Sequence, residues 1–539
     1  MAKMSFFRLS GDSLIQAITI YAGIGVLLFG YDQGVMGGLI TGPPFNEQFG
    51  YPSAIVISTI VAVFEVGALV GSVISGRTAD SRGRLGSIHI GSIILIIGAA
   101  LQAGALGNPT VSIVMMIGGR LIAGAGCGFL MTSIPVYQSE IASAEHRGRQ
   151  QCIQWVLNIF GVVLAYWLDY LLSHVQNDMS WRVPIAVQII FAVILFIGTY
   201  IFPESPRWLI SKGRLQDGKR VLYQTIGQCD EQSELVELEF RDIEKTMELE
   251  NSYGDSTWKE MFQTSGLNQR HRTLLAMGIQ AMQQLCGINA VAYYQVFIYL
   301  QAGITNQTAL LIAGVNTLVY NLSTFVPVFF IDRWGRKPLL IGGAFLQSLA
   351  MCMVAGSLAS ETKSGAAFVA TGVIIYTAAF GSSWLPIPWM YPAEIFPQRT
   401  RAKGAALATL SNFLFNTLIG VSVPPLQNSI GYRLYLCFAI INAVMILVVH
   451  FCYVETKGRS LEEMTLIFSG ASAGEIERVQ QILEQAEDPI AVRFEIERKL
   501  AQFGDIGEIL ETEQLLGATT SANQEDNRSV NSYGSLYES

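Results

Sequence analysis

A short charged stretch between two apolar runs decides the fold of this chain: Gly76-Arg77-Thr78-Ala79-Asp80-Ser81-Arg82-Gly83-Arg84. Its pattern returns in the second half as Asp332-Arg333-Trp334-Gly335-Arg336-Lys337. The acid and the last Arg of the first stretch recur at the same offset of 252 residues (332 − 80 and 336 − 84). Solenoid repeats are only roughly 20–50 residues long, so this spacing indicates a duplicated half-protein.

The composition predicts a membrane protein. Apolar residues make up 51% of the 539 positions and charged residues only 14%, whereas a soluble domain carries about 25% charged residues. A membrane helix needs about 20 apolar residues, and we count about twelve such runs, near residues 14–39, 55–76, 88–106, 111–135, 150–173, 182–203, 273–300, 307–331, 338–358, 367–391, 402–427 and 431–453. A duplicated half-protein in a membrane is typical of transporters whose halves move against each other.

The distribution of Lys and Arg predicts the orientation, because these residues favour cytoplasmic loops. One alternating set of loops is rich in them, whereas the other set holds only Arg182, Lys363 and Arg433. The rich loops and both termini should therefore be cytoplasmic. The expected domains are an N-terminus (1–13), a six-helix bundle (14–203), a cytoplasmic helical linker (204–272), a second bundle (273–453) and a cytoplasmic tail (454–539). We expect an amphipathic helix at 474–512 and disorder from about 517.

Two more charged motifs repeat. Glu140 with Arg147 is matched by Glu394 with Arg401, and Pro203-Glu204-Ser205-Pro206-Arg207 by Val454-Glu455-Thr456-Lys457-Gly458-Arg459. A signal for membrane topology alone would explain the Arg residues but not the acids. Each surface pair contributes only about 0–1 kcal/mol, yet a network biases two states of similar energy. We predict a gating network of Asp80, Arg84, Glu140, Arg147, Glu204, Arg207, Asp332, Arg336, Glu394 and Arg401.

Asp32 lies inside the first apolar span. A charge in hydrocarbon costs at least about 2.5–3.5 kcal/mol, so this side chain needs a cavity and a partner. Arg120 is the cation well inside an apolar run of the same half, and the position 252 residues further on is Gly372. The repeat itself therefore does not require an Arg. We predict an Asp32–Arg120 pair that relays protons, with a static buried ion pair as the alternative.

Amide side chains collect in the second half. Gln280, Gln283 and Gln284 share one helical face of the seventh span, and Gly287 is expected to loosen the helix before Asn289. Later spans add Asn316, Asn412, Asn416 and the aromatic Trp389. Amides offer the donors and acceptors that a neutral polyhydroxylated ligand requires. Hydrogen bonding between helices is the alternative for each single amide.

These motifs in combination resemble the sugar porter family of the major facilitator superfamily, and its fungal members most. The resemblance covers residues 14–465 and depends on the repeated Asp–Arg loops, on Pro203 to Arg207, on Gln283-Gln284-Leu285-Cys286-Gly287-Ile288-Asn289, and on Pro386-Ile387-Pro388-Trp389. It implies an all-α membrane protein with the major facilitator fold. Twelve transmembrane helices would form two pseudo-symmetric bundles of six, with a cytoplasmic helical insert.

The resemblance also implies roles for individual residues. Asp32 and Arg120 match the pair that the symporters of this family use for protons. The fifth-span glutamine of the family falls at Trp155, or at Gln154 after a slip of one residue. Phe413 and Gly381 depart from residues common in other members. The implied sugar contacts are Gln283, Gln284, Asn289, Tyr293, Asn316, Trp389, Asn412 and Gln154.

We therefore expect a plasma-membrane monosaccharide transporter that works by alternating access and proton symport through Asp32. Alternatives are a facilitative uniporter, a symporter of polyols or glycerol, and a transporter-like sugar sensor. The chain has no basic stripe for nucleic acid, no phosphate loop and no spacing of Cys or His typical of metal ligands. The expected partners are a sugar, protons and the lipid bilayer. We expect a monomer that is not an enzyme and uses no cofactor or metal.

Overall fold

A computed structural model describes most of the chain, and its regular elements are all helices in the described part. The described residues are 10–141, 147–226, 236–237, 239–241, 243–245, 257–264, 267–360, 365–459, 461–485, 492, 496 and 499–500. The tail helix expected at 474–512 lies only partly among them, and the disorder expected from about 517 lies outside them.

Seven helices make up the first half. They are α1 (Asp12–Leu39), α2 (Pro43–Gln48), α3 (Ala54–Arg82), α4 (Arg84–Ala103), α5 (Pro109–Ile141), α6 (Arg147–Leu172) and α7 (Met179–Ile201). Two short helices follow, α8 (Pro206–Ser211) and α9 (Leu215–Ile226). Helices α1, α4, α5 and α7 bury a shared apolar core that includes Tyr21, Ile88, Leu130 and Leu195.

The second half repeats the pattern with more interruptions. Its helices are α10 (Gln269–Leu285), α11 (Ile288–Gln301), α12 (Asn306–Ser323), α13 (Phe325–Trp334), α14 (Arg336–Ser360), α15 (Gly365–Gly381), α16 (Ile387–Ile395), α17 (Gln398–Ile430) and α18 (Arg433–Cys452). Two tail helices, α19 (Leu461–Ser469) and α20 (Ala473–Gln485), follow, and a 3-10 turn at Glu260–Phe262 precedes α10.

All twelve apolar runs found in the sequence coincide with helix. Within the described residues, ten segments are long and apolar enough to cross a membrane, and α12 and α13 count as one of them. The shorter α15 and the broken pair of α10 and α11 account for the other two runs. The break in the seventh run falls at Gly287, as expected, where the backbone takes the left-handed conformation with φ of 101°.

The apolar run at 367–391 is interrupted in the structure. Helix α15 ends at Gly381, turns occupy 382–386, and α16 begins at Ile387. Pro386 and Pro388 explain the interruption, because proline lacks the N–H that would continue the helical ladder and its ring collides with the preceding turn. The break leaves backbone carbonyl groups in this stretch open to side chains of other helices.

Contacts divide the chain into two units. The first comprises Met1–Arg241, Ile279–Pro388 and Thr409–Glu455, and thus holds most of both helical halves. Within it, α1 packs against α6 and α11, and α6 packs against α12. The second unit comprises Asp242–Gly278, Trp389–Ala408 and Thr456–Ser539. Its apolar core consists of Leu267, Leu466, Val479, Val492, Ile496 and Leu500.

Candidate binding site and charged loops

Asp32 and Arg120 form a buried ion pair, as the sequence predicted. The Arg120 Nη1 group donates to both carboxylate oxygens of Asp32, at 2.8 and 3.1 Å, and each side chain is 3% exposed. Arg120 Nε also donates to the carbonyl of Ile60 at 3.3 Å, and the guanidinium lies 4.5 Å from the ring centre of Phe64. These contacts compensate in part for the large cost of removing two charges from water.

A second buried acid, Glu65 on α3, was overlooked in the sequence. It is 1% exposed, and it directly follows Phe64, whose ring centre lies 4.5 Å from the Arg120 guanidinium. The Tyr293 hydroxyl donates to Glu65 Oε1 at 2.9 Å, so this bond joins the first helical half to the second. Glu65 Oε2 has no hydrogen-bond partner among the residues that the structure describes. An acid within the apolar run 55–76 was the same signal that identified Asp32, and it could have found Glu65.

The predicted amides on α10 are bonded to Asn412 of α17. The Asn412 Nδ2 group donates to Gln280 Oε1 at 2.6 Å and to Gln283 Oε1 at 2.8 Å. Gln280 donates to the Pro388 carbonyl at 3.0 Å, and Gln283 donates to the Trp384 carbonyl at 2.7 Å. Both carbonyl groups lie beside the proline break after α15, so this break supplies acceptors that orient the two glutamines.

The network continues from α10 into α11. Gln284 Nε2 lies 3.5 Å from Gln283 Oε1, and Gln284 in turn accepts a hydrogen bond from Asn289. Asn289 also donates to Asn416 Oδ1 at 2.7 Å, and the Tyr293 hydroxyl lies 3.5 Å from the same oxygen. Through Tyr293 the chain of polar contacts reaches Glu65. We call this set of hydrogen-bonded side chains the amide network; its members are Gln280, Gln283, Gln284, Asn289, Tyr293, Asn412 and Asn416.

Gly287 makes the turn within this network. A Cβ atom there would lie 2.9 Å from the Phe438 ring, in addition to the strain of its positive φ. The turn frees the carbonyl of Cys286, which accepts bonds from Tyr376 at 3.1 Å and Asn442 at 3.0 Å. A buried carbonyl group without a partner would be costly. The break is therefore a stable feature that turns Asn289 toward α17.

Three predicted contact residues lie elsewhere. Asn316 donates to Gln295 at 2.8 Å and accepts a bond from Thr377 at 2.7 Å, which makes a separate polar cluster. Gln154 donates to Gln138 of α5, within the first half. Trp389 is half-buried on α16 and belongs to the second unit. The structure thus brings Gln283, Gln284, Asn289, Tyr293 and Asn412 into one network.

The charged loop of the first half is an ion-pair cluster around Arg84. Its guanidinium bonds Glu140 at 2.9 Å and Asp80 at 3.2 Å. Glu204 accepts from the backbone N–H of Arg84 at 3.1 Å and from that of Leu85 at 3.2 Å. A carboxylate at this helix N-terminus satisfies free N–H groups and complements the helix dipole.

The second half repeats this arrangement. Arg336 bonds Asp332 at 3.2 Å, and Glu455 accepts from the backbone N–H groups of Arg336 and Lys337, both at 2.9 Å. Gly83 and Gly335 precede the two capped helices with φ of 93° and 90°. A Cβ atom on them would lie 2.3 Å from Glu204 and 2.7 Å from Glu455. The repeated acids are therefore helix caps in both halves, a role that the sequence did not predict.

The other four predicted gating residues lie on α6, α8, α16 and α17. Arg207 is half-buried on α8, and Arg147 begins α6 with a side chain outside the described part of the structure. Glu394 on α16 accepts a bond from the Thr456 hydroxyl at 2.6 Å, and Arg401 is half-buried on α17. Both of these last residues belong to the second unit.

Known proteins resemble the chain over nearly its whole length. The family model described as "Sugar (and other) transporter" matches residues 18–468. Sugar transporter STL1 of Saccharomyces cerevisiae is 33% identical, over 87% of this chain and 84% of its own. Probable polyol transporter 6 of Arabidopsis thaliana is 32% identical, over 83% of this chain and 93% of its own.

A solved structure supports the fold. The proton:xylose symporter XylE bound to 6-bromo-6-deoxy-D-glucose matches with a TM-score of 0.71 and 25% identity, over 85% of this chain and 100% of that one. The match confirms the predicted major facilitator fold of membrane helices.

Proposed function

This chain is a member of the sugar transporter family and a multi-pass membrane protein, and from that premise we propose that it takes up a neutral monosaccharide across the plasma membrane by proton symport. Alternating access would expose the amide network first to one side and then to the other. The charged loops and both termini would face the cytoplasm, since their Lys and Arg favour that side.

The observation that carries the proposal is the amide network. Five of its side chains, on α10, α11 and α17, already hold donors and acceptors in fixed positions. A neutral sugar offers hydroxyl groups that both donate and accept, so it can replace amide–amide bonds one for one. Such a replacement conserves hydrogen bonds in a buried site, where an unmade bond costs about 1–3 kcal/mol.

Asp32 is the proposed proton carrier. A proton on Asp32 would neutralise the carboxylate and free Arg120 from its 2.8 Å bond, which changes the contacts between α1 and α5. A proton moving inward through a membrane potential of about 100 mV releases roughly 2.3 kcal/mol. That energy supports a sugar concentration ratio of roughly 50. The similar proteins include a high-affinity glucose transporter and a probable polyol transporter, and XylE is a proton:xylose symporter.

The loop clusters would serve as the cytoplasmic gate. Arg84 joins α3, α4 and α5 through Asp80 and Glu140, and Arg336 joins α13 to α14 through Asp332. Asp80 and Asp332 are 79% and 83% exposed, so breaking their bonds costs little, whereas the Arg84–Glu140 pair is 16% and 13% exposed and is the stronger contact. We infer that they bias the carrier between two states without locking either.

Reconstituted protein in liposomes tests the coupling. Wild-type protein should accumulate labelled monosaccharide when the lumen is alkaline and negative, and it should bring in protons with the sugar. Asp32→Asn should lose accumulation while still exchanging labelled for unlabelled sugar. Glu47→Gln, a change of an exposed acid in α2, is the matched control and should accumulate normally. If Asp32→Asn still accumulates sugar and still brings in protons, symport through this residue is contradicted. If the wild-type protein moves sugar only down its concentration gradient, the protein is a uniporter.

A further inference from the structure

Glu65, Asp32 and Arg120 form one buried charge group with two acids and one base. Arg120 pairs with Asp32 at 2.8 Å and lies 4.5 Å from the ring centre of Phe64, the residue before Glu65 on α3, and all three charged residues are at most 2% exposed. With both acids ionised the group carries one negative charge, which is costly inside a membrane. One added proton makes the group neutral.

The contacts favour one of the two acids for that proton. Asp32 receives two hydrogen bonds from the Arg120 guanidinium, at 2.8 and 3.1 Å. Glu65 accepts a hydrogen bond from the Tyr293 hydroxyl at 2.9 Å and faces the Asn416 amide, both of them neutral groups, and its Oε2 has no hydrogen-bond partner among the described residues. A carboxylate paired with a guanidinium resists protonation, whereas a buried carboxylate without a cation favours it.

The groups that face Glu65 come from four helices. Asp32 lies on α1, Arg120 and the buried Cys127 on α5, Tyr293 on α11, and the Asn416 amide on α17. The single cation among these five groups is Arg120, and Asp32 already pairs with it. The remaining neighbours are neutral or negative, so they do not stabilise a charged Glu65 as a cation would.

We propose that Glu65 is the second coupling residue of the transporter and holds the transported proton on Oε2 while Asp32 is paired with Arg120. This inference rests on the proton symport proposed above. The proton enters from one side of the membrane, binds Glu65 and leaves to the other side, and no other bond is formed or broken.

The bond to Tyr293 gives this proton a mechanical consequence. A hydrogen bond to a carboxylate is roughly twice as strong as one to a neutral acceptor. Ionised Glu65 therefore holds α3 tightly to α11, and protonated Glu65 holds it loosely. Tyr293 also contacts Asn416 of the amide network. The proton thus acts on a contact between the two halves and next to the proposed sugar site.

Two readouts of one variant test the role of Glu65 in coupling. In proteoliposomes, Glu65→Gln should lose accumulation driven by a proton gradient by at least about tenfold, while exchange of labelled for unlabelled sugar continues and no longer depends on pH. Glu47→Gln should behave as the wild type in both readouts. Normal proton influx per sugar in Glu65→Gln overturns the inference. A loss of exchange together with accumulation also overturns it, because that result makes Glu65 a structural contact.

A measurement on the wild type avoids dependence on the folding of a variant. Dicyclohexylcarbodiimide adds to protonated carboxyl groups in apolar surroundings, and mass spectrometry locates the adduct. Glu65 should be labelled, less so as the pH rises, and Asp32 should be labelled more weakly because its carboxylate is paired with Arg120. Labelling of Asp32 without Glu65 overturns the inference. Wild-type protein that does not accumulate sugar under a proton gradient instead refutes the proposed symport itself, so the two failures are distinguishable.

Discussion

The Tyr293 hydroxyl links the charge group of the first half to the amide network of the second. It donates to Glu65 at 2.9 Å and lies 3.5 Å from Asn416 Oδ1. Its neighbour Tyr294 is equally buried but donates to a backbone carbonyl, that of Gly420, at 3.0 Å. Two adjacent tyrosines therefore have different roles, and only one of them connects the two proposed sites.

Replacing Tyr293 with Phe should weaken sugar uptake. The change removes one donor from Glu65 and leaves a buried acceptor without its partner, at a cost of about 1–3 kcal/mol. We expect the KM for uptake to rise roughly 5- to 150-fold. Tyr294→Phe is the matched control and should change the KM by much less. Equal effects of the two substitutions would assign both hydroxyls to packing alone.

The sequence predicted some site residues and not others, for physical reasons. Asp32, Gln283 and Asn412 are polar residues in apolar spans. Because burying a polar side chain in a membrane costs free energy, their positions in the sequence indicated a function. Asn316 satisfied the same criterion, yet it bonds Gln295 and Thr377 because helix packing alone decides which amides meet. Glu65 met the same criterion, a charged residue in an apolar span, but its partner Tyr293 lies 228 positions away in the sequence and could not be identified from it.

At the scale of helices, the charged residues of the repeated loops include acids that cap the N-termini of α4 and α14. Gly83 and Gly335 take positive φ, and a carboxylate from a distant segment reaches the N-terminus that follows each of them. The spacing of 252 residues predicted the duplication but not this function for Glu204 and Glu455. Helix lengths followed from apolar run lengths, whereas the breaks at Gly287 and at Pro386 required residues that end helices.

Gly83→Ala tests the cap. An Ala at φ of 93° is strained, and its Cβ would lie 2.3 Å from the Glu204 carboxylate, so we expect a loss of about 1–3 kcal/mol. Gly76→Ala in α3 is the control, because a Cβ there meets nothing within 4 Å and alanine favours helix. Thermal unfolding in detergent should show a lower midpoint for Gly83→Ala only. Equal midpoints would contradict the cap.

At the scale of the molecule, the two helical halves meet through polar contacts as well as packing. Tyr166 of α6 donates to the Ala292 carbonyl of α11 at 2.7 Å, and Asn321 of α12 donates to the Val156 carbonyl of α6 at 2.8 Å. Such bonds can exchange partners as the halves move, whereas the apolar core within the first half cannot. The duplication predicted two halves, but which groups join them depends on tertiary packing.

The central claim is that the amide network binds a neutral polyhydroxylated substrate. Competition for uptake of a labelled monosaccharide tests it most directly, with unlabelled neutral sugars, polyols, a sugar phosphate and a sugar acid as competitors. Neutral compounds should compete, and the anionic analogues should compete roughly 100-fold less well, since a buried unpaired charge costs about 2.5–3.5 kcal/mol. If the anionic analogues compete as well as their neutral parent, the account is contradicted.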